Sequence, residues 1–181
     1  YYGADGMDTA IDPTNSNLFY GFIQNGGSLY ISTNAGNSSS GGVGSPNGES
    51  GNWVTPLVTN SVGEVYAGYS NLYKLESGNW TQQNTSFLGI GNIELITIDP
   101  SNDNNIYISG NGQLLKSTDK GVTFQNLFDA SITSIAVHST NSDIIYITTQ
   151  GTNGQVLKSV NGGLDFTSIS SGLPSIGKNV I

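Results

Sequence analysis

Short β-branched and aromatic runs, each bracketed by Asn, Gly, Ser or Asp, recur along the whole chain. No stretch carries the 3.6-residue period of an amphipathic helix. Ile106-Tyr107-Ile108 and Ile144-Ile145-Tyr146-Ile147 are representative, and their composition and flanks predict strands. Laid against itself, the chain repeats. Ile11-Asp12-Pro13-Thr14-Asn15 returns as Ile98-Asp99-Pro100-Ser101-Asn102 and, more loosely, as Val137-His138-Ser139-Thr140-Asn141. A tyrosine follows each: Tyr20, Tyr107 and Tyr146, with Tyr66 in the same slot of a fourth copy. The four tyrosines lie 46, 41 and 39 residues apart. A period near forty residues holds four short strands and little else, which predicts propeller blades built as antiparallel meanders.

The remainder of the repeat agrees. Asn25-Gly26, Asn111-Gly112 and Asn153-Gly154 follow the tyrosine strand, and Asn-Gly supplies the two positive-φ residues of a type I′ hairpin. Leu114-Leu115-Lys116-Ser117 and Val156-Leu157-Lys158-Ser159 then read as third strands. Blades are expected near 1–54, 55–83, 84–127 and 128–170, with 171–181 beginning a fifth inner strand. First strands are expected near Thr9–Asp12, Leu57–Asn60, Leu95–Asp99 and Ser134–His138. Asn37 to Gly51, almost wholly Gly, Ser, Asn and Pro, is expected to be an exposed excursion without regular structure.

After the third strand comes Ser117-Thr118-Asp119-Lys120-Gly121-Val122-Thr123-Phe124. It resembles the Asp-box (the BNR-type S-x-D-x-G-x-T-[FW] signature) of sialidases, sortilin-type receptors and xyloglucanase-like glycoside hydrolases. Ser159-Val160-Asn161-Gly162-Gly163-Leu164-Asp165-Phe166 is a second copy with Asn for Asp and Asp for Thr. Ser32-Thr33-Asn34-Ala35-Gly36 starts a third, which the Asn37–Gly51 insertion is expected to interrupt before its aromatic, Trp53. The second blade keeps only Gly78-Asn79-Trp80-Thr81. Asp5-Gly6-Met7, Gly51-Asn52-Trp53-Val54-Thr55-Pro56 and Tyr66-Ala67-Gly68-Tyr69 resemble recurring phrases of propellers in large secreted bacterial proteins, some exported by the type IX system. The resemblance implies an all-β propeller at the cell surface or outside the cell. It also implies that these four blades are an incomplete arc of a propeller with six or more. In such a fold Ser117, Asp119, Gly121, Thr123 and Phe124, with Ser159, Asn161, Gly163 and Phe166, build outer turns away from the ligand face.

Charge narrows the function. Only 10% of residues are charged, the net charge is −8, and the five basic residues are all lysines: Lys74, Lys116, Lys120, Lys158 and Lys178. A nucleic-acid reader needs clustered cations to displace counterions, so no nucleic-acid partner is expected. The absence of arginine removes the bidentate carboxylate clamp of sialidase chemistry and the basic patch of photosystem-assembly propellers. There is no cysteine, and no apolar run approaches the roughly 18 residues of a membrane helix, so no disulfide framework or membrane insertion is expected. The start, Tyr1-Tyr2-Gly3, reads as a processed or excised N-terminus.

Candidate chemistry is sparse. A glycoside hydrolase needs two facing carboxyls, about 5–5.5 Å apart for retention and roughly 6.5–9.5 Å for inversion. Asp5 and Asp8, just before an inner strand, are the pair that such a reading selects, with Glu94 and Asp129 as further acidic groups on the ligand face. Tyr1, Tyr2 and Tyr69 lie in or near the same loops and are candidates for stacking on sugar rings; packing between blades is the competing reading. His138 is the single histidine and occupies the turn slot of Asp12 and Asp99, so a capping role is expected and no zinc site can be assembled. Asp99, Ser101, Asn102 and Asp103 lack the glycine and glutamate of a calcium loop. No cofactor is expected. Two readings compete: a non-catalytic scaffold that binds protein or glycan as part of a larger polypeptide, and a glycoside hydrolase acting on a polysaccharide.

Overall fold

The computed structural model describes residues 5–151 and 154–173. Among these described residues sixteen strands form four antiparallel four-stranded sheets, each a meander in chain order. The first holds β1 (Gly6–Ile11), β2 (Phe19–Ile23), β3 (Ser28–Ser32) and β4 (Ser40–Gly44). The second holds β5 (Leu57–Thr59), β6 (Val65–Gly68), β7 (Leu72–Glu76) and β8 (Asn79–Gln82). The third holds β9 (Leu95–Ile98), β10 (Ile106–Gly110), β11 (Gln113–Ser117) and β12 (Gln125–Asp129). The fourth holds β13 (Ile132–His138), β14 (Asn141–Thr149), β15 (Val156–Ser159) and β16 (Thr167–Ser168). This is the β-propeller blade, four times over. The chain divides into two compact units, residues 1–96 and 97–181.

Three of the expected first strands start or end within a residue or two of β5, β9 and β13, and β1 begins three residues earlier than Thr9. The fifth inner strand falls mostly on residues 174–181, outside the described residues, as does Asn153 of the third Asn-Gly pair. Asn111 and Gly112, at φ 45° and 77°, form the expected two-residue hairpin, with Gly110 opposite Gln113, whereas Asn25 and Gly26, though at 57° and 61°, lie in a four-residue connection that makes a 3-10 turn at Gln24–Gly26. In the second blade a two-residue turn, Ser77-Gly78, stands where the others carry a box, and Glu76 pairs directly with Asn79 across it.

In the first unit the core is Tyr20, Phe22, Leu29, Leu57, Val65, Ala67, Tyr69 and Tyr73, with Trp80 against it. Tyr69 meets Phe22, Tyr73 and Trp80 edge-on at centroid distances of 6.2, 5.8 and 6.5 Å. Burying each large apolar side chain contributes about 1.5–3 kcal/mol. In the second unit Ile106, Tyr107, Ile108, Leu114, Ile145 and Ile147 are buried, and Phe128 packs edge-on against Phe166 of the adjoining blade at 5.2 Å. The outer strands β4, β8, β12 and β16 are the most exposed of their sheets.

The turn between the first and second strands is the same device three times. Asp12 Oδ1 accepts from the Thr14 N–H and hydroxyl, both at 2.7 Å, and Asp99 Oδ1 accepts from the Ser101 N–H and hydroxyl at 2.9 and 2.8 Å. His138 does this through Nδ1, which accepts from the Thr140 N–H at 3.3 Å. The carbonyls of Asn17 and Asn104 in these turns, and of Asp143 near the start of β14, then accept from the N–H groups of Ala35, Lys120 and Gly162 in the outer turn of the same blade.

Each of those outer turns is held by its serine. Ser32, Ser117 and Ser159 accept the N–H of Gly36, Gly121 and Gly163 at 2.9, 2.8 and 2.9 Å, and donate to Asn34, Asp119 and Asn161 Oδ1. The residues at the x-Gly positions all have positive φ: Ala35 57° and Gly36 81°, Lys120 60° and Gly121 89°, Gly162 71° and Gly163 95°. Asp119 closes the turn on Thr123, accepting its N–H at 2.8 Å and its hydroxyl at 2.6 Å. Those donors hold the Asp119 carboxyl below the usual carboxylate range, the Thr123 hydroxyl first among them. Where Asn161 replaces Asp, its Oδ1 still accepts the Asp165 N–H at 3.0 Å, while its Nδ2 donates to Asp165 Oδ2 at 3.0 Å. The two substitutions compensate: donor and acceptor have exchanged sides.

The Asn37–Gly51 expectation is wrong in two respects. The first box is not interrupted, because Asn34 Oδ1 accepts the Ser38 N–H at 2.9 Å and its Nδ2 donates to Ser38 Oγ at 2.8 Å. The outer strand is then β4, inside the supposed excursion, followed by a 3-10 turn at Pro46–Gly48. Trp53 is not the aromatic of an outer strand; it lies in an irregular segment with 58% of its surface exposed.

Candidate functional site

Loops entering the first strands and hairpins between second and third strands share one face of each blade, and in the first unit that face gathers most of the candidate groups. Asp5 is exposed at the entry to β1. Asp8, on β1, is half-buried: Oδ1 accepts the Thr9 N–H at 2.9 Å and Oδ2 accepts the Leu57 N–H at 3.0 Å. Asp8 therefore ties the first blade to the start of β5. The pair of carboxyls that the sequence selects is a solvated group and a structural clamp.

Tyr69 is not available for stacking, which corrects its candidacy. It is 0% exposed, and its hydroxyl donates to the Gly26 carbonyl at 2.7 Å. Gly26 has positive φ, and a Cβ there would fall 2.6 Å from that hydroxyl, so glycine is required both by the turn and by the close approach of the ring. Burial, then the Glu49 charge, then Tyr73 push the Tyr69 phenol well above its ordinary range. Tyr1 and Tyr2 lie outside the described residues. Glu94 is exposed, and Asp129 is exposed with Oδ1 accepting from Asn126 Nδ2 at 2.7 Å. Asp99 has both oxygens engaged, Oδ2 by Asn105 Nδ2 at 2.9 Å, and no cluster of three metal-ligating side chains exists among the described residues.

Glu49 is the residue that sequence reading missed. Its carboxylate accepts the Tyr73 hydroxyl in a short hydrogen bond, the Ser70 hydroxyl at 2.6 Å and the Ser70 N–H at 3.3 Å. Burial first, then this bond and charge, push the Tyr73 phenol up to about 12. The backbone on either side is fastened as well. The Gly51 N–H donates to the Asn25 carbonyl at 3.0 Å, Asn92 Nδ2 donates to the Ser50 carbonyl at 3.1 Å, and Asn52 Nδ2 donates to the Ile93 carbonyl at 3.0 Å. A signal was present, since Glu49 is the single charged residue between positions 37 and 51. At the rim of the same unit an open cleft of about 510 Å³ lies between the Gly42–Asn47 segment and Gly78–Trp80. No ionisable side chain lines it.

No family model matches the chain, and no curated protein matches it. Solved structures do. The chain is similar to an ancestral GH74 enzyme (TM-score 0.71, 19% identity), covering 93% of this chain and 26% of that one. It is similar to the GH74 xyloglucanase from Xanthomonas campestris (TM-score 0.61, 16% identity), with 85% and 28% covered. It is also similar to YCF48 bound to D1 peptide (TM-score 0.59, 15% identity), with 85% and 50% covered. The fold is a β-propeller fold. At these identities the likeness concerns the fold alone, and the chain spans about a quarter to a half of the length of these structures.

Proposed function

We propose that the chain is a non-catalytic propeller module of the Asp-box type, acting at the cell surface or outside the cell as a scaffold that binds protein or glycan. It belongs in this reading to a larger polypeptide whose further blades complete the propeller. One observation carries the non-catalytic part: Asp8 and Glu49, the half-buried carboxylates on the loop face of the first unit, are both spent on donors that hold the fold. Retaining or inverting hydrolysis needs two carboxyls free to exchange protons or attack across a sugar. The low charge, the absence of arginine and the neutral cleft at Trp80 suit an uncharged glycan or a peptide surface better than an anionic ligand.

The second reading, a xyloglucanase-like hydrolase acting on a polysaccharide, is favoured by the two GH74 structures among the similar folds. A panel of neutral polysaccharides assayed for both retention and reducing-end release separates the two. Binding without turnover supports the scaffold. Turnover that Asp5→Asn abolishes while the unfolding midpoint stays unchanged overturns it. Asp8→Asn does not serve alone, because it also loosens the tie to Leu57.

A further inference from the structure

The repeat tyrosine faces, across the sheet, a fixed slot in the third strand, which holds Ile31 opposite Tyr20 and a lysine in the other three blades: Tyr66 pairs with Lys74, Tyr107 with Lys116 and Tyr146 with Lys158. The three lysines find different partners. Lys74 is satisfied inside its own blade by Glu64 at 2.7 Å and Glu76 at 3.2 Å. Lys116 lies over the Tyr107 ring and donates to the carbonyl of Gly162, in the box of the following blade, at 2.8 Å. Lys158 lies over Tyr146 in the same way, 5.6 Å from the ring centroid, and has no hydrogen-bond or ion-pair acceptor among the described residues.

Other positions on this face repeat the contrast. Leu127 packs on Gly163 of the next box so closely that a Cβ on that glycine would fall 2.5 Å from Leu127 Cδ2. Its counterpart one repeat on, by strand register, is Ile169, which is 44% exposed. Tyr107 is 0% exposed, whereas Tyr146 is half-exposed. The face that the β9–β12 sheet presents to its successor is filled; the same face of the β13–β16 sheet carries the same lysine–tyrosine pair, with Ile169 in place of Leu127, and is open among the described residues.

We propose that this open face, Lys158 with Tyr146 and Ile169, is the docking site for the S-x-[DN]-x-G turn of a following blade in the larger polypeptide. The carbonyl before the box glycine accepts from Lys158 Nζ, and the glycine itself admits Ile169. The inference rests on the reading of the chain as part of a larger polypeptide. It adds the chemistry of the partner, which is a backbone carbonyl followed by a residue without Cβ.

Lysine acylation footprinting by mass spectrometry tests it, since five lysines give five resolvable rates. In the 181-residue chain Lys158 is expected to react faster than Lys116. In the complete polypeptide Lys158 is expected to slow about tenfold, to the rate of Lys116, as groups held in native contacts do. Ile169→Asp is the second arm. It is expected to lower the unfolding midpoint of the complete polypeptide and to leave that of the 181-residue chain unchanged, because its site there is open. Lys158 as reactive in the complete polypeptide as in the short chain overturns the docking site while leaving the larger polypeptide intact. A native mass equal to the 181 residues overturns both.

Discussion

Replacing Glu49 by alanine probes the least foreseen part of the structure. The substitution removes the acceptor of three hydrogen bonds and leaves the Tyr73 O–H, on a side chain 1% exposed, without its carboxylate acceptor, while Asn71 and Asn47 still hydrogen-bond the phenol. Hydrogen bonds to charged groups contribute about 1.5–3 kcal/mol, and an orphaned buried donor costs about 1–3 kcal/mol. Glu49 itself is partly solvated, and Ser70 can turn to water, so the two terms do not add in full. A loss of about 2–3 kcal/mol is expected. For a chain of this length that is roughly a 4–12 °C fall in midpoint. Trp80, packed on Phe22 and Tyr69, reports the loss by fluorescence in urea titration. Tyr73→Phe completes a double-mutant cycle with an expected coupling of about 1–3 kcal/mol. The same bond predicts an alkaline limit. With the folded-state phenol of Tyr73 raised to about 12 from 10.0, the folded form holds its proton longer than the unfolded form. This contribution is complete below pH 10, is lost as pH rises toward 12, and disappears in Tyr73→Phe. Glu49→Ala within 0.5 kcal/mol of the parent, by urea titration, refutes the claim that the 37–51 segment is anchored.

The compensated box offers a cleaner test. Asn161→Asp sets a carboxylate against Asp165 and is expected to cost about 0.5–1.5 kcal/mol, while adding Asp165→Thr restores stability by rebuilding the Asp119–Thr123 arrangement; denaturant midpoints of the three proteins decide it. In acid, Asp12, Asp99 and Asp119 act together. Thr14 donors lower Asp12, Thr123 donors lower Asp119, and at Asp99 burial is outweighed by hydrogen bonds from Ser142, Asn105 and Ser101. Depressed carboxyls stabilise above their unfolded pKa, so that contribution is present above about pH 4 and is lost as pH falls below it; Asp119→Asn flattens the acid limb of a pH-dependent melt. Gly163→Ala meets both a φ of 95° and Leu127, and is expected to cost about 1–3 kcal/mol in thermal unfolding.

What sequence reading recovered follows from where the information is local. Asn-Gly pairs dictate their own dihedrals, the box closes within eight residues, and β-branched runs such as Ile106–Ile108 are buried whatever their neighbours, so strands and turns were legible. β4 was not, because Ser40-Gly41-Gly42-Val43-Gly44 has no strand propensity. It forms through pairing with β3, where Leu29 lies opposite Val43. Glu49 was hidden for the same reason, since its partners lie at Ser70 and Tyr73, more than twenty residues away. Asp8 misled in the opposite direction. A carboxylate before an inner strand fits a catalytic role until the distant Leu57 N–H is seen to claim it.

The relation between Asp119–Thr123 and Asn161–Asp165 bears on function as well as on stability. A box kept for a ligand or an ion would keep the charge that contacts it. Here the anionic group moves from the third position of the motif to the seventh, and the hydrogen bonds survive the move at 2.6 and 3.0 Å. The first box goes further, closing Asn34 on Ser38 with no charge at all. What the three turns share is the serine that accepts the glycine N–H, the positive-φ pair, and the N–H donated to the carbonyl of Asn17, Asn104 or Asp143. Those shared features fix the shape of the turn and leave its charge free. Between the β9–β12 sheet and the β13–β16 sheet, what Lys116 takes is a carbonyl of that turn, Gly162 O, and the contact asks for no charge in the box.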